Sequence, residues 1–558
     1  MINAVKRTVQ WMIAVVVTTV LIGCAQDAAD KPRATIVADT IYQNGRIYTV
    51  GDQRSWAEAM AIKDGEFIAV GSDQEVMDFV GQNTEQVDLQ GAMVMPGIHD
   101  AHTHLLHAAL KYGDYYCDLP YPDVTDAQVI DALKACEKSG KLRRGDWLIA
   151  GIVDEARMTS EEFIGLLNQH LPDTPVLIKD FTNHNALVNQ HAMQLSGIDK
   201  NTVDPHGGKI VRRESSGEAT GMLFETAVRL AYRVIPPFDD SINQAAIRWA
   251  IAQNHRYGIT SVQEASAIPA NLQAFKALDQ QNQLALHIAA HFIVDNEKFA
   301  SNSAMEAVTS KRESYASKHM GVAFSKLWLD GAPSEVHSTL AGLDHETGMI
   351  DEAFMLFSLE KLPAMIAELD RQGFSVKMHA GGFGSARAAL DAISYAREQN
   401  SSDHYHEVGH APSIHPDDLP RLASLNVVAE MSPAIWHQFP YDGSWQFNTL
   451  HKSGVLVTVG SDWLVVREPN LFPALQGMLQ HGDEAVSLET ALAMLTINGA
   501  RAVGKEQQFG SISAGKSADF IVLNQNLFEV PVRDIGNTQV LTTVFEGRPV
   551  YQAKSRGN

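Results

Sequence analysis

Apolar and polar positions alternate at the two ends of this chain. Residues 36–95 contain "IYQNGRIYTV", "AMAIKDGEFIAVGS" and "VDLQGAMVMPG", and residues 508–558 contain "GSISAGKSADFIVLN" and "VLTTVFEGRPVY". A period of two is that of a half-buried strand, and the Asn-Gly, Asp-Gly and Gln-Gly steps fit turns between short strands. The two ends predict one small β-sandwich domain, built from residues 38–95 and 508–558. Between them the pattern changes. Apolar runs of strand length recur as "AMVMPGIHDAH", "WLIAG", "PVLIKDF", "ITSVQEA", "SKLWLDG", "FSVKMHAG", "VVAEMSP" and "VLVTVGSDW". Stretches such as "LEKLPAMIAELDRQ" and "SARAALDAISYAREQ" separate them and have helical apolar spacing. Near-continuous apolar strands alternating with helices imply a parallel sheet covered on both faces. The number of units fits an α/β fold of the (β/α)8 TIM-barrel type over residues 96–507, with a doubly wound sheet as the other arrangement. Residues 110–260 are too long for two ordinary units, so insertions are expected there.

Composition changes this picture little. The 558 residues are 45% hydrophobic and 20% charged, enough for a large core. A net charge of −22 argues against a nucleic-acid partner. The start of the chain is distinct. Lys6 and Arg7 precede the uncharged run "WMIAVVVTTVLIG", which ends at Cys24. A charged start and a short apolar run read as a signal peptide over residues 1–24. "LIGC" resembles the bacterial lipobox, which implies lipidation of Cys24 and a membrane-anchored, exported lipoprotein. By the same resemblance, Ala25 after the cysteine favours the outer membrane, facing the periplasm, and residues 25–37 form a polar tether. Export permits a disulfide between the two other cysteines, Cys117 and Cys136. Two free buried thiols are the alternative.

The candidate chemistry sits at strand ends. In "HDAHTH", His102 and His104 are two residues apart, so on a strand they share a face and can converge on one ion. "SVKMHAG" ends in His379, "HYHEVGHAP" carries His404, His406 and His410, and "VTVGSDW" ends in Asp462. "SKLWLDG" contributes Lys326 and Asp330. In a barrel enzyme the C-terminal strand ends meet at one mouth. Neutral imidazoles and a carboxylate gathered there suit a divalent metal such as zinc.

These residues carry a resemblance. "VMPGIHDAHTHL", "SVKMHAGG", "VGHAPSIHPDDLPRL" and "VTVGSDW" resemble the strand-one, strand-five, strand-six and strand-eight signatures of the metal-dependent amidohydrolase superfamily. "SLETALAMLTINGARAVG" with "GSISAGKSADFIVLN" resembles its C-terminal return into a small β-sandwich. "GGKIVRRESSGEATGMLFE" and "SKLWLDGA" are similar to the amidohydrolase 3 branch that includes N-substituted formamide deformylase. The resemblance implies that His102 and His104 hold a first metal and that His379 and His410 hold a second. It implies that Lys326 bridges the two as a carboxylated lysine, and that Asp462 is both ligand and proton shuttle. If Lys326 is not carboxylated, a single zinc site is the fallback. His184, in "FTNHNALVN", matches a histidine near the branch's active site and is a candidate for binding the carbonyl or oxyanion. Glu225 and Asp330 match branch positions, and Trp463 is placed to wall the pocket. His99, His107, His437 and His451 lack motif support. The chain departs from the branch at "HAGGFGSARAAL" and at "EVGH", where glycines make room for a bulkier substrate or reshape a loop.

The activity expected is hydrolysis of a small-molecule amide-type C–N bond by metal-activated water. The same site acting on a carbamate, ester or phosphoester is an alternative. A non-catalytic metal- or ligand-binding lipoprotein is another, against which Asp462 argues, since a binding protein needs no proton shuttle.

Overall fold

A computed structural model describes residues 36–51, 54–120, 123–140, 143–294, 310–333, 338–412, 414–435 and 445–554. Cys24, the expected signal peptide, most of the expected tether and His437 lie outside the described residues. Among those described, no helix is long and apolar enough to cross a membrane.

Eight parallel strands run in one sheet: β1 (Ile98–Thr103), β2 (Ile259–Ala267), β3 (His287–Ile293), β4 (Met320–Trp328), β5 (Ser375–His379), β6 (His406–Gly409), β7 (Val427–Met431) and β8 (Val457–Val459). Their spatial order is their chain order. The ring closes between first and last strands, where Asp462 N–H donates to His102 O at 2.7 Å and Thr103 bridges Trp463. Every residue of β1 and β2 is buried, as expected for strands with side chains on the inside and helices on the outside. The helix Phe383–Gln399 shows how the outer layer forms. Ala386, Ala389, Ile393 and Ala396 recur at helical spacing and are buried. The barrel is thus of the TIM type, as the strand–helix alternation predicts.

Two sheets stand beside the barrel's N-terminal strand. One holds Thr40–Gln43, Ala59–Lys63, Glu66–Gly71 and Glu85–Asp88. The other mixes the chain ends, with Arg46–Tyr48, Trp56–Ala57 and Met93–Pro96 joined to Phe520–Leu523, Val540–Phe545 and Arg548–Gln552. Ile47, Met60, Phe67, Val94, Phe520 and Val544 form one core between them. The run "VMPGIH" serves both bodies: Met95 pairs with Ile521, and Ile98 pairs with Ile259. Gly97 marks the passage, where a Cβ would lie 2.1 Å from Thr260 Oγ1.

Two expected barrel strands belong elsewhere. Trp147–Val153 and Val176–Asp180 lie in a separate seven-stranded sheet inserted between β1 and β2. Val176–Asp180 is followed by an antiparallel return, Ala186–Val188, rather than by a helix. Trp147, Ile149 and Leu177 face the main core, and Leu148, Val176 and Ile178 face a satellite core under the helices Asp126–Ser139 and Glu161–His170. Burial on both faces gives these strands the apolar look of barrel strands. The true third and sixth strands, β3 and β6, are masked in sequence by the polar residues His291 and Glu407, which are buried. Cys117 and Cys136 are disulfide-bonded, with Cα atoms 5.8 Å apart, and tie the inserted sheet to the helix Asp126–Ser139.

Candidate metal centre

His102, on β1, and His104, just past its end, come together at the mouth with ring centroids 5.4 Å apart. Asp100, two residues earlier, locks this strand to the last one. Its carboxylate accepts from Ser461 N–H at 2.8 Å, Ser461 Oγ at 2.5 Å and His102 N–H at 3.1 Å. Asp462 follows with φ of 50° and His410 has φ of 65°, conformations that cost L-residues energy and that cluster at functional sites. Each turns a side chain out of its strand end into the mouth. His379 comes from the end of β5 and stands edge-to-face with His410 at 4.7 Å, and the His410 ring lies 4.3 Å from that of His102.

Each imidazole has one nitrogen tied to a neighbouring oxygen. His102 Nδ1 lies 2.5 Å from Glu430 Oε2. His104 Nδ1 donates to Ser266 Oγ at 2.7 Å, and Ser266 donates to Glu264 at 3.2 Å. His410 Nδ1 donates to Ser432 Oγ at 3.1 Å, and Ser432 donates to Glu430 Oε1 at 3.0 Å. His379 Nε2 donates to Gly331 O at 2.9 Å, which leaves its Nδ1 buried without a partner. Such outer bonds fix the tautomer that presents a lone pair to a metal. The charge state agrees: burial, then the surrounding cationic groups, holds His102, His379 and His410 well below the usual histidine range, so all three are neutral.

The lone pairs converge. Asp462 Oδ1 is buried without a hydrogen-bond partner, 3.2 Å from His104 Nε2 and 4.0 Å from His102 Nε2. His102, His104 and Asp462 form one group of metal-ligand geometry, and His102, His410 and Glu430 form a second. His102 uses a different nitrogen toward each carboxylate. Its Nδ1–H belongs to Glu430, so Nε2 is the metal-facing atom. Acceptor atoms gathered this closely repel one another unless a cation or donor sits among them; Lys326 Nζ stands 3.3 Å from His102 Nε2, while Asp462 Oδ1 has no hydrogen-bond partner. The residues present therefore fit a divalent metal.

Lys326 is fully buried on β4, its Nζ 3.3 Å from His102 Nε2. Burial, then the charge of Lys377, holds it well below an ordinary lysine. Lys377 itself donates to Ala101 O and pairs with Glu407 at 3.4 Å beneath the site.

His184 enters from the inserted sheet's side. Its Nδ1 lies 2.8 Å from Glu225 Oε2, while Glu225 Oε1 accepts from Thr339 at 2.6 Å. Burial opposes its charge, but the carboxylates of Glu225, Asp180 and Asp462 together outweigh burial and raise His184 to about 9. His184, His379, His410 and Asp462 all line a cavity of about 200 Å³ at the mouth.

Three other expected residues lie outside that cavity wall. Glu225 sits behind His184. Asp330 is fully buried and accepts from Ala341, Gly381 and Gly382 N–H and from Ser385 Oγ, so it joins two mouth loops rather than facing a substrate. Trp463 is completely buried, stacks on Trp249 at 5.8 Å and donates to Arg467 O. The strand-end turn at Asp462 sends the next side chain into the core. The glycines after His379 are explained by close approach. A Cβ on Gly382 would meet Ala341 O at 2.1 Å, and one on Gly381 would meet Leu340 Cδ2 at 2.5 Å. Of the histidines not assigned to a metal, His99 Nδ1 is occupied by Ser261 at 2.9 Å and His406 by Asp370 at 3.0 Å.

Sequence reasoning missed Glu430, Ser432, Ser266 and Glu264. The signal for Glu430 was present: a single carboxylate inside the apolar run "VVAEMSP".

Comparison with known proteins agrees with this geometry. The family described as amidohydrolase family matches residues 85–551. The chain is 24% identical to N-substituted formamide deformylase of Arthrobacter pascens, over 93% of this chain and 99% of that protein. It is 25% identical to the putative amidohydrolase YtcJ of Bacillus subtilis, over 92% and 99%. An uncharacterized metal-dependent hydrolase from Pyrococcus horikoshii shares the fold, with a TM-score of 0.68, 20% identity and coverage of 88% and 99%.

Proposed function

The chain belongs to the amidohydrolase family, and from that premise we propose that this metal-dependent hydrolase cleaves a small-molecule amide, with Asp462 as proton shuttle. The observation that carries the reading is the unpartnered, buried Asp462 Oδ1 beside the Nε2 atoms of two oriented histidines.

His102, His104 and Asp462 would hold one divalent ion, with His379 and His410 positioned for a second. When bound, the metal acidifies water and polarises the substrate carbonyl. Asp462 accepts the proton from the attacking water and delivers it to the leaving nitrogen, so that the amide and water become an acid and an amine. His184, cationic beside Glu225, faces the same cavity and can donate to the oxyanion. Lys326, buried and with a depressed pKa, has the free amine that carbamate formation requires, and its carboxylated form would add oxygen ligands. Zinc suits this nitrogen–oxygen set.

The test is metal analysis combined with a hydrolysis panel of amides, carbamates, aryl esters and phosphotriesters. Asp462→Asn should abolish turnover and largely retain metal; an unchanged rate removes Asp462 from the shuttle role. Turnover of phosphotriesters alone would replace the amide reading.

We also infer an exported, lipid-anchored protein from Lys6, Arg7 and the "LIGC" at Cys24. The Cys117–Cys136 disulfide supports an oxidising compartment. Cys24→Ser should move the protein from the membrane fraction to the soluble one.

A further inference from the structure

We propose that Glu225 is a positioning residue of this hydrolase: its one carboxylate aims His184 into the cavity and pins the connection after β4 that lines the same cavity. The inference rests on the hydrolase reading above and adds a residue to its substrate side.

Glu225 ends the strand Ala219–Glu225 of the inserted sheet. Its side chain is buried and its backbone is strained, with φ of 49° and ψ of −123°. A residue with a Cβ keeps such a conformation only where its surroundings impose it, and such strain clusters at functional sites. Here three bonds impose it. The Glu225 N–H donates to Asn185 Oδ1 at 3.2 Å, which ties it to the turn that carries His184. Oε2 accepts from His184 Nδ1 at 2.8 Å, and Oε1 accepts from Thr339 Oγ1 at 2.6 Å. His184 belongs to the inserted sheet and Thr339 to the barrel, so the carboxylate joins the two at the mouth.

The first of these side-chain bonds decides which nitrogen a substrate meets. Nδ1 is taken, the ring lines the cavity, and Nε2 makes no hydrogen bond among the described residues. The second acts on the wall. Thr339 folds the connection after β4 back on its own start: Gly331 N–H donates to Thr339 O at 3.1 Å, and Ala332 N–H donates to Thr339 Oγ1 at 3.0 Å. Ala332, Pro333 and Leu340 of this connection line the cavity. Gly331 is a glycine for the same reason, since a Cβ there would lie 2.1 Å from Glu225 Oε1 and 2.0 Å from Thr339 Oγ1. Its carbonyl accepts from His379 Nε2 at 2.9 Å, so the pinned segment also orients a candidate metal ligand. Misplacing a group at the reacting centre by about 1 Å costs about 100-fold in rate, which is the scale on which such a strut acts.

The experiment uses the metal-loaded full chain with p-nitroacetanilide and 4-nitrophenyl acetate. Glu225→Ala should lower kcat about 100-fold on whichever probe is turned over. In Glu225→Gln the amide oxygen can accept from His184 while Thr339 accepts from the amide nitrogen, so this variant keeps the shape and should lose only about tenfold. A loss with Gln as large as with Ala overturns the positioning role. In a His184→Ala background Glu225→Gln should change kcat less than about twofold, because its effect passes through that ring. The full loss in that background also overturns it. Thr339→Val removes the hydroxyl and keeps the volume; KM should rise about tenfold with kcat nearly unchanged, since the wall is loosened and the ring is not. Unchanged constants for Thr339→Val overturn the pinning of the wall. Turnover of the ester alone counts against the amide reading, and the same variants then decide the positioning on the ester. If neither probe is turned over, crystal structures of the metal-loaded native protein and Glu225→Ala decide it: a His184 ring turned out of the cavity supports the proposal, and a ring left in place overturns it.

Discussion

Glu430 Oε2 lies 2.5 Å from His102 Nδ1 and also accepts the His410 backbone N–H at 3.1 Å. One carboxylate on β7 thus orients a ring on β1 and fixes the turn that carries the candidate ligand His410 after β6. Glu430→Gln preserves shape and removes the acceptor strength. Metal affinity should fall by roughly 10- to 100-fold, as for other outer partners of ligand histidines. Chelator competition measures it, and an unchanged affinity would mean that His102 is oriented by packing alone.

Asp330 should act on stability. It is buried and satisfies three backbone N–H groups and a hydroxyl from the loops around Ala341 and Gly382. Asp330→Asn turns a donor toward these donors and should cost about 3 kcal/mol. Thermal unfolding checks the value. A loss below roughly 0.5 kcal/mol, the scale of a neutral surface change, would show the loops hold without it.

These two residues show what was legible in the sequence. That these side chains gather at one mouth could be read because His-x-His, His379, His410 and Asp462 each end an apolar strand, and strand ends of a barrel converge. Glu430 and Asp330 could not be separated in role, because whether a buried carboxylate faces a ring nitrogen or a loop backbone depends on contacts between distant segments. The same limit applied to the fold. "WLIAG" looks like a barrel strand because both of its faces are covered, and only its pairing shows that a second sheet does the covering.

His319 offers a pH-dependent test of how the C-terminal hairpin is held. Its Nδ1 lies 2.7 Å from Asp279 and its Nε2 3.1 Å from Glu546 in the turn between Val540–Phe545 and Arg548–Gln552. Burial opposes the charge, but the two carboxylates outweigh burial and raise His319. His319, then burial acting the other way, sets Glu546 at about 2. A raised histidine contributes stability that is complete below about pH 6.5 and is lost as pH rises through its folded value. A lowered glutamate contributes above about pH 4.5 and loses that on acidification toward its folded value. The clamp is therefore strongest between these limits. His319→Gln should cost about 2 kcal/mol at pH 6 and much less at pH 9. Equal losses at both values would assign His319 to packing.

The Cys117–Cys136 bond closes a loop of sequence separation 19 and joins the strand Cys117–Asp118 to the helix Asp126–Ser139. Closing a loop of this length restricts the unfolded chain and is worth about 3 kcal/mol. That gain belongs to the inserted sheet, because the satellite core of Val129, Leu133, Leu148 and Phe163 is separate from the barrel's own. The double substitution Cys117→Ser with Cys136→Ser should therefore act locally. Hydrogen exchange should rise in Trp147–Val153 and Asp126–Ser139 and stay unchanged in β1 and β8. Because Phe181 and His184 reach the mouth from this insertion, kcat/KM should fall while metal content holds. A uniform rise in exchange across the barrel would show that insertion and barrel unfold as one unit, and that the disulfide stabilises both.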